Sequence, residues 1–199
     1  MSDEEAGVDA SIESPSPSPP ALERTGKDEP FFQALAQKDL GRAATLLVDE
    51  HGQAIGRTCM ALLGSQSEAE DALQETLMAA LDGVEGFRGD GTLRAWLSSI
   101  ARRRSVKRLE ARTRERELKD RLTAPEAAPN AERATMAARA RRLLDELRPT
   151  EREALVLRFA AELSFRELGE ACGIDEAAAR KRVSRGLARL RSLLGEDKS

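Results

Sequence analysis

Along residues 163–194, LSFRELGEACGIDEAAARKRVSRGLARLRSLL, apolar and charged positions sort onto opposite sides of two consecutive helices. Ala179, Val183, Leu187, Leu190 and Leu194 recur at helical spacing on one side, and Ala178, Lys181, Arg182, Arg185 and Arg189 fall on the other. Ser164 followed by Glu167 forms a capping box, which satisfies free N–H groups at a helix start. Cys172-Gly173 ends that helix, with Gly173 able to take the left-handed conformation of a sharp turn. Asp175 then caps a second helix running to about Leu194. The pattern predicts a helix-turn-helix whose second helix buries one face and offers the other to phosphate or base edges. A basic stripe on an isolated helix is more simply a solvated face. The capped short helix and glycine turn in front of it favour the DNA reading.

The same periodicity predicts helices further upstream. Ser67 with Glu70 makes another capping box, opening a helix over EAEDALQETLMAALDGV with Ala69, Leu73, Thr76, Leu77, Ala80 and Leu81 inward. Asp71, Gln74, Glu75, Met78 and Asp82 form an outward acidic stripe, and Met78 supplies an apolar anchor of the kind interfaces use. After a loop punctuated by Gly83, Gly86, Gly89 and Gly91 comes TLRAWLSSIARRRSVKRLEARTR. Leu93, Trp96, Leu97 and Ile100 share one side of it, and Trp96 reads as a core anchor ahead of a base-stacking platform. Arg102, Arg103, Arg104, Lys107, Arg108, Arg112 and Arg114 face only Glu110 in opposition, a concentration of charge that attracts polyanions. Near the end of the chain Pro149 is expected to terminate one helix, and Thr150 with Glu153 to cap the next.

Composition adds the fold class. Aromatics are 3% and Tyr is absent, while Ala, Leu, Arg and Glu dominate, so an all-α fold is expected. The net charge of -3 says nothing about nucleic acid, but its distribution does. Acidic residues fill the first 29 positions and the stretch 65–85, whereas basic ones gather in 88–121 and 180–191. Residues 1–29 contain SIESPSPSPP and too few large apolar side chains to offset their ordering entropy, so this acidic extension reads as disordered. A helical region over 30–114 and a second over 136–195 flank a linker at 115–135 containing Pro125 and Pro129. Cys59 and Cys172 lie in apolar helical patterns and read as buried thiols of a reducing compartment. With His51 the only histidine there is no metal-ligand cluster, no nucleophile paired for catalysis and no cofactor motif. No apolar run is long enough to span a bilayer, and the acidic N-terminus is the reverse of a signal peptide, so a cytoplasmic protein without membrane insertion is expected.

Three phrases, AEDALQETLMAAL, FRGDGTLRAWLSSIARRR and LSFRELGEACGIDEAAARKRVSRGLARLR, occur in an order and separation that resemble a known family. The chain is similar to the extracytoplasmic-function (ECF) class of sigma-70-family RNA polymerase sigma factors over about 31–112 and 136–195. The resemblance implies that 30–114 is sigma domain 2 and 136–195 sigma domain 4. Asp71, Gln74, Glu75 and Met78 would then bind the β′ clamp helices of bacterial RNA polymerase core. The segment Phe87–Arg108 would capture and open the promoter −10 element, with Arg88 near the extruded base and Arg94, Trp96, Arg102, Arg103, Arg104 and Lys107 on the DNA side. On the −35 side the recognition helix would use Ala178, Lys181, Arg182 and Arg185, flanked by Arg180 and Arg189, while the outer surface of domain 4 docks on the β flap. A cognate anti-sigma factor is a further partner the resemblance allows. The family commonly has Asn and Asp where Arg103 and Lys107 stand, and Gly-Thr-Val where Ala177, Ala178 and Ala179 stand. The function so implied is promoter selection and opening without catalysis. The alternative is a helix-turn-helix regulator that does not join polymerase, which would need neither the acidic stripe nor the Trp96 helix.

Overall fold

The structure, a computed structural model, describes residues 21–22, 26–84, 90–122 and 136–196. Two apolar clusters organise it, one in each half of the chain. In the N-terminal module, α1 (Glu29–Ala36) and α2 (Leu40–Leu47) lead through a π-helical turn at Val48–Gly52 into α3 (Gln53–Leu63). The long helices α4 (Gln66–Gly83) and α5 (Leu93–Leu122) pack against α3. Leu47, Ile55, Cys59, Leu63, Ala72, Ala80, Leu93, Leu97 and Ala101 are buried where they meet. Small residues on the inner side of α4 let three helices approach closely at little cost in helix propensity.

Local chemistry sets the boundaries. Asp39 caps α2 by accepting the Arg42 N–H at 3.0 Å. Ser65, not Ser67, caps α4, its hydroxyl accepting from the Glu68 N–H at 3.4 Å. The α5 start belongs to Thr92, whose hydroxyl accepts the Ala95 N–H at 3.1 Å. Helix α5 continues to Leu122, beyond the expected domain end at Arg114, because the charged stretch 115–122 contains no breaker before Pro125. The helix thus runs into the segment expected as linker, and residues 123–135 lie outside the described ones. The expectation of disorder over 1–29 is overturned where that segment is described. Ala21–Leu22 (β1) pairs in parallel with Asp90–Gly91 (β2), and Asp28 is buried, its carboxylate 3.0 Å from the His51 Nε2. Residues 1–20 and 23–25 lie outside the described ones.

The C-terminal module comprises α6 (Met136–Asp145), α7 (Pro149–Phe159), α8 (Phe165–Cys172) and α9 (Glu176–Glu196). Leu147, Leu155, Leu157, Leu163, Leu168, Ala179 and Val183 form its core. Pro149 opens α7 at the first helical position instead of closing α6, and Arg148 stands at the N-cap without a side-chain bond. The expected Thr150–Glu153 capping box is thus absent, and Glu153 is free to face elsewhere. The Ser164–Glu167 box is present in both directions: the Glu167 N–H donates to Ser164 Oγ at 3.2 Å, and the Ser164 N–H donates to Glu167 Oε2 at 2.8 Å. Gly173 turns the chain at φ 67°, ψ 39°. A methyl group on Gly169 would stand 2.7 Å from the Ile174 carbonyl, so the tight turn requires hydrogen there.

Candidate nucleic-acid interface

Helix α9 presents its cations because its other side is committed to the core. Asp175 Oδ1 accepts the Ala178 N–H at 2.6 Å and fixes the helix start. Ala179 and Val183 are buried, and Leu187 and Leu190 pack partly against the same cluster. Leu194, expected on this side, is 43% exposed because the helix outruns the core. On the outer side Lys181 and Arg185 are exposed and Arg182 and Ala178 half-buried. Among the described residues no carboxylate pairs with Lys181, Arg182 or Arg185, leaving their charge available.

The two flanking arginines are less available. Arg180 lies 4.5 Å over the Phe165 ring and pairs with Glu176, while Arg158 covers the same ring at 5.0 Å. Arg189 donates to the Glu146 carbonyl at 3.2 Å. Both therefore brace the module as well as extending its positive surface.

The basic helix α5 has a more divided fate. Trp96 is half-buried against the N-terminal core, in agreement with its reading as an anchor. Arg103 donates to Ser99 Oγ at 3.2 Å, and neither Arg103 nor Lys107 pairs with a carboxylate among the described residues. Desolvation, together with Arg102 and Arg104 on either side, lowers the Arg103 pKa from its ordinary value, as expected where positive charge is crowded. Arg104 and Arg108 instead reach Glu75 at 3.2 and 2.6 Å, and Arg108 lies 3.7 Å from Asp71. Burial would raise the Glu75 pKa, but the hydrogen bonds and charges of Arg108 and Arg104 outweigh it and hold it low. Arg88 lies outside the described residues.

The acidic stripe on α4 stands as expected. Asp71, Gln74 and Asp82 are exposed, Glu75 is half-buried and Met78 is 65% exposed. Met78 is thus an apolar side chain standing among carboxylates on the outer side of α4.

The junction of the two modules leaves no periodic signal in the sequence. Arg94 reaches both oxygens of Glu167 at 3.2 and 3.3 Å, and Arg102 Nε lies 2.6 Å from Glu153 Oε2. Thr92 donates to Glu167 Oε1 at 2.6 Å. Burial tends to raise the Glu167 pKa, but the Thr92 hydroxyl, the Ser164 groups and Arg94 together lower it to about 2. On the rear side, the carbonyls of Leu62 and Leu63 at the α3 C-terminus accept from Arg152 and Arg141 respectively. Arg57 donates to the Ala160 carbonyl and to Glu162, both at 3.3 Å.

Comparison with known proteins supplies the context. Residues 47–115 match the family model for Sigma-70 region 2, and residues 137–190 match that for Sigma-70, region 4. The chain is 32% identical to the ECF RNA polymerase sigma factor SigE of Mycolicibacterium smegmatis over 165 residues, covering 77% of this chain and 62% of that protein. It is 31% identical to the ECF RNA polymerase sigma factor EcfG of Rhodopseudomonas palustris, covering 69% of this chain and 77% of that one. Among solved structures, the sigma factor RpoE of Bartonella quintana, in complex with the anti-sigma factor NepR, superposes with TM-score 0.61 at 27% identity. That match covers 79% of this chain and 98% of the other. CnrH, in complex with the cytosolic domain of CnrY, shares the fold at TM-score 0.66 and 24% identity, over 87% of this chain and 99% of that one.

Proposed function

The chain belongs to the ECF class of sigma-70-family RNA polymerase sigma factors, and from that premise we propose that it binds core polymerase and selects and opens promoters. The observation that carries this reading is one chain holding both a helix-turn-helix with uncommitted cations on α9 and a separate module with an acidic, methionine-centred face. A DNA-binding regulator acting alone has no use for the second. The Asp71–Met78 stripe on α4 docks on the β′ clamp helices, and the outer surface of the C-terminal module docks on the β flap. The exposed Phe159, 60% accessible beside the end of α7, gives that surface an apolar contact.

Each nucleic-acid contact then has a physical task. Lys181, Arg182 and Arg185 enter the major groove of the −35 element, where a bidentate arginine–guanine pair contributes roughly 1–3 kcal/mol of base discrimination. Ala177–Ala179 favour the helix but offer no hydroxyl to the groove, so base reading falls to the cations. On α5, Arg94, Arg102, Arg103, Arg104 and Lys107 hold backbone phosphates around the −10 element. Extruding a base costs a few kcal/mol, which such contacts offset by holding the displaced strand. None of these roles calls for a catalytic group, and the place of action is wherever polymerase works, the cytoplasm. No helix among the described residues is long and apolar enough to cross a membrane. An anti-sigma factor is the natural regulator, as the solved relative from Bartonella quintana is bound to one.

Run-off transcription with bacterial core polymerase lacking any other sigma factor tests the reading. Specific transcripts from a subset of a genomic promoter library are expected. Sequence-specific DNA binding without any transcript would instead leave a regulator that does not join polymerase.

A further inference from the structure

At the start of α8 one aromatic ring gathers cations from the helices on both sides of it in the chain. Phe165, the first residue of α8, is half-buried against the C-terminal core. Over its ring lie Arg180 of α9, 4.5 Å from the centroid, and Arg158 of α7, at 5.0 Å. Each guanidinium has one further hold. Arg158 Nη1 donates to the Leu163 carbonyl at 2.7 Å, and Arg180 pairs with Glu176 one turn earlier on its own helix. Two cations thus share one carboxylate, and among the described residues none pairs with Arg158. An aromatic ring attracts a guanidinium without using its N–H donors, so it restricts both side chains and leaves donors for an acceptor. Restriction before binding removes part of the ordering cost of a contact.

We propose that Phe165 is a positioning residue for DNA binding, holding Arg158 and Arg180 as a clamp on a backbone phosphate beside the −35 groove. The proposal rests on the reading of α9 as the −35 recognition helix. In a helix-turn-helix the second helix enters the groove while the first crosses the sugar–phosphate backbone. Phe165 begins that first helix, and Arg180 immediately precedes Lys181 and Arg182 on the second. The pair it holds therefore stands where the strand bordering the groove passes. Arg158 joins the DNA side through this ring, although α7 lies outside the helix-turn-helix. A phosphate oxygen accepts the same charge-assisted bonds as a carboxylate, so Arg180 exchanges Glu176 for DNA at little net change in charge. Arg158 brings a charge that no described carboxylate holds, and most of the electrostatic gain comes from it. Such a clamp fixes the register of the protein on the duplex and carries no base information.

The test uses the full chain and a randomised, fluorescein-labelled duplex library; sequencing the bound fraction gives the preferred motif. Anisotropy titration of a duplex carrying that motif then gives affinity and its salt dependence. Arg158→Gln should enrich the same motif as wild type and bind it about tenfold more weakly at low salt. Its logarithmic salt slope should be shallower by about 0.9, the equivalent of one phosphate contact on duplex DNA. Phe165→Leu should weaken binding about threefold with the motif unchanged, and Phe165→Tyr, which keeps a ring, should bind as wild type. Combining Arg158→Gln with Phe165→Leu should cost less than the product of the single losses, because the ring acts through the arginine. Circular dichroism and thermal melting separate these effects from unfolding, and a ring that merely packs would leave the Arg158→Gln slope at the wild-type value. Wild-type affinity and slope for Arg158→Gln, or for a folded Phe165→Leu, would overturn the clamp. A motif that Arg182→Ala alters would in that case still leave α9 in the groove. Failure of the wild type to enrich any motif would remove the −35 reading, and the clamp with it.

Discussion

Glu167 serves two structures at once, the capping box of α8 and the junction with Thr92 and Arg94, and this gives it a visible pH dependence. Its pKa falls from an ordinary value of 4.5 to about 2 in the folded chain. A lowered folded-state pKa contributes stability that is complete above about 4.5 and disappears as the pH falls towards 2. The thermal midpoint of the wild type should therefore decline across that window, and Glu167→Gln should flatten the decline while lowering the midpoint at neutral pH. Identical pH slopes for the two proteins would show that the carboxylate is not engaged. Locality explains how much of this residue was readable. Ser164 and Glu167 are three positions apart, and the capping box follows from spacing alone. Thr150 and Glu153 show the same spacing, but Pro149 starts the helix one residue earlier and sends Glu153 to Arg102, 51 positions away. Ser65–Glu68 and Ser67–Glu70 overlap as candidate boxes; the left-handed Gly64 that ends α3 leaves Ser65 as the first extended residue, and it takes the cap.

At the scale of helices, α4 and α9 were legible because each has one face buried by its own module. Helix α5 was legible as basic but not in its allegiances, since which arginine meets which acid depends on the packing of three other helices, α4, α7 and α8. The packing matters for the acidic stripe proposed to meet polymerase. Asp71 and Glu75 hold Arg104 and Arg108 in the free chain, so a partner that claims these carboxylates releases cations on α5, the helix proposed to meet DNA. Asp71→Ala with Glu75→Ala is expected to weaken core binding by roughly tenfold or more, in the range found when hydrogen-bonded interface charges are truncated. Equilibrium binding to labelled core polymerase measures this, and unchanged affinity would sink the assignment of the stripe. On α9, Arg182→Ala and Arg185→Ala should leave core affinity intact and reduce selection among promoters, at about 1–3 kcal/mol for an arginine that reads a base. Normal initiation by both variants at every wild-type promoter would remove α9 from the groove.

For the molecule as a whole, both modules were legible, but their contact was not. The linker expected at 115–135 permits wide separation as readily as contact, and the ionic junction joins groups 51 to 105 positions apart in sequence. Salt distinguishes a closed chain from two independent modules. Rising salt weakens arginine–phosphate contacts through counterion release, by about 0.7 in the logarithmic slope for each phosphate held on a single strand. In the closed protein, Arg94 and Arg102 already have anionic partners, so exchanging a carboxylate for a phosphate releases little net counterion at these two positions. The wild-type slope for a labelled oligothymidylate strand should consequently be shallower than that of Glu153→Gln with Glu167→Gln, by up to about 1.4 for the two arginines. Anisotropy titrations from low to moderate salt supply both slopes. The curves should converge as salt rises, because screening opens the wild type while it weakens binding by the variant. Parallel lines at every salt concentration would mean that the two carboxylates never compete with nucleic acid.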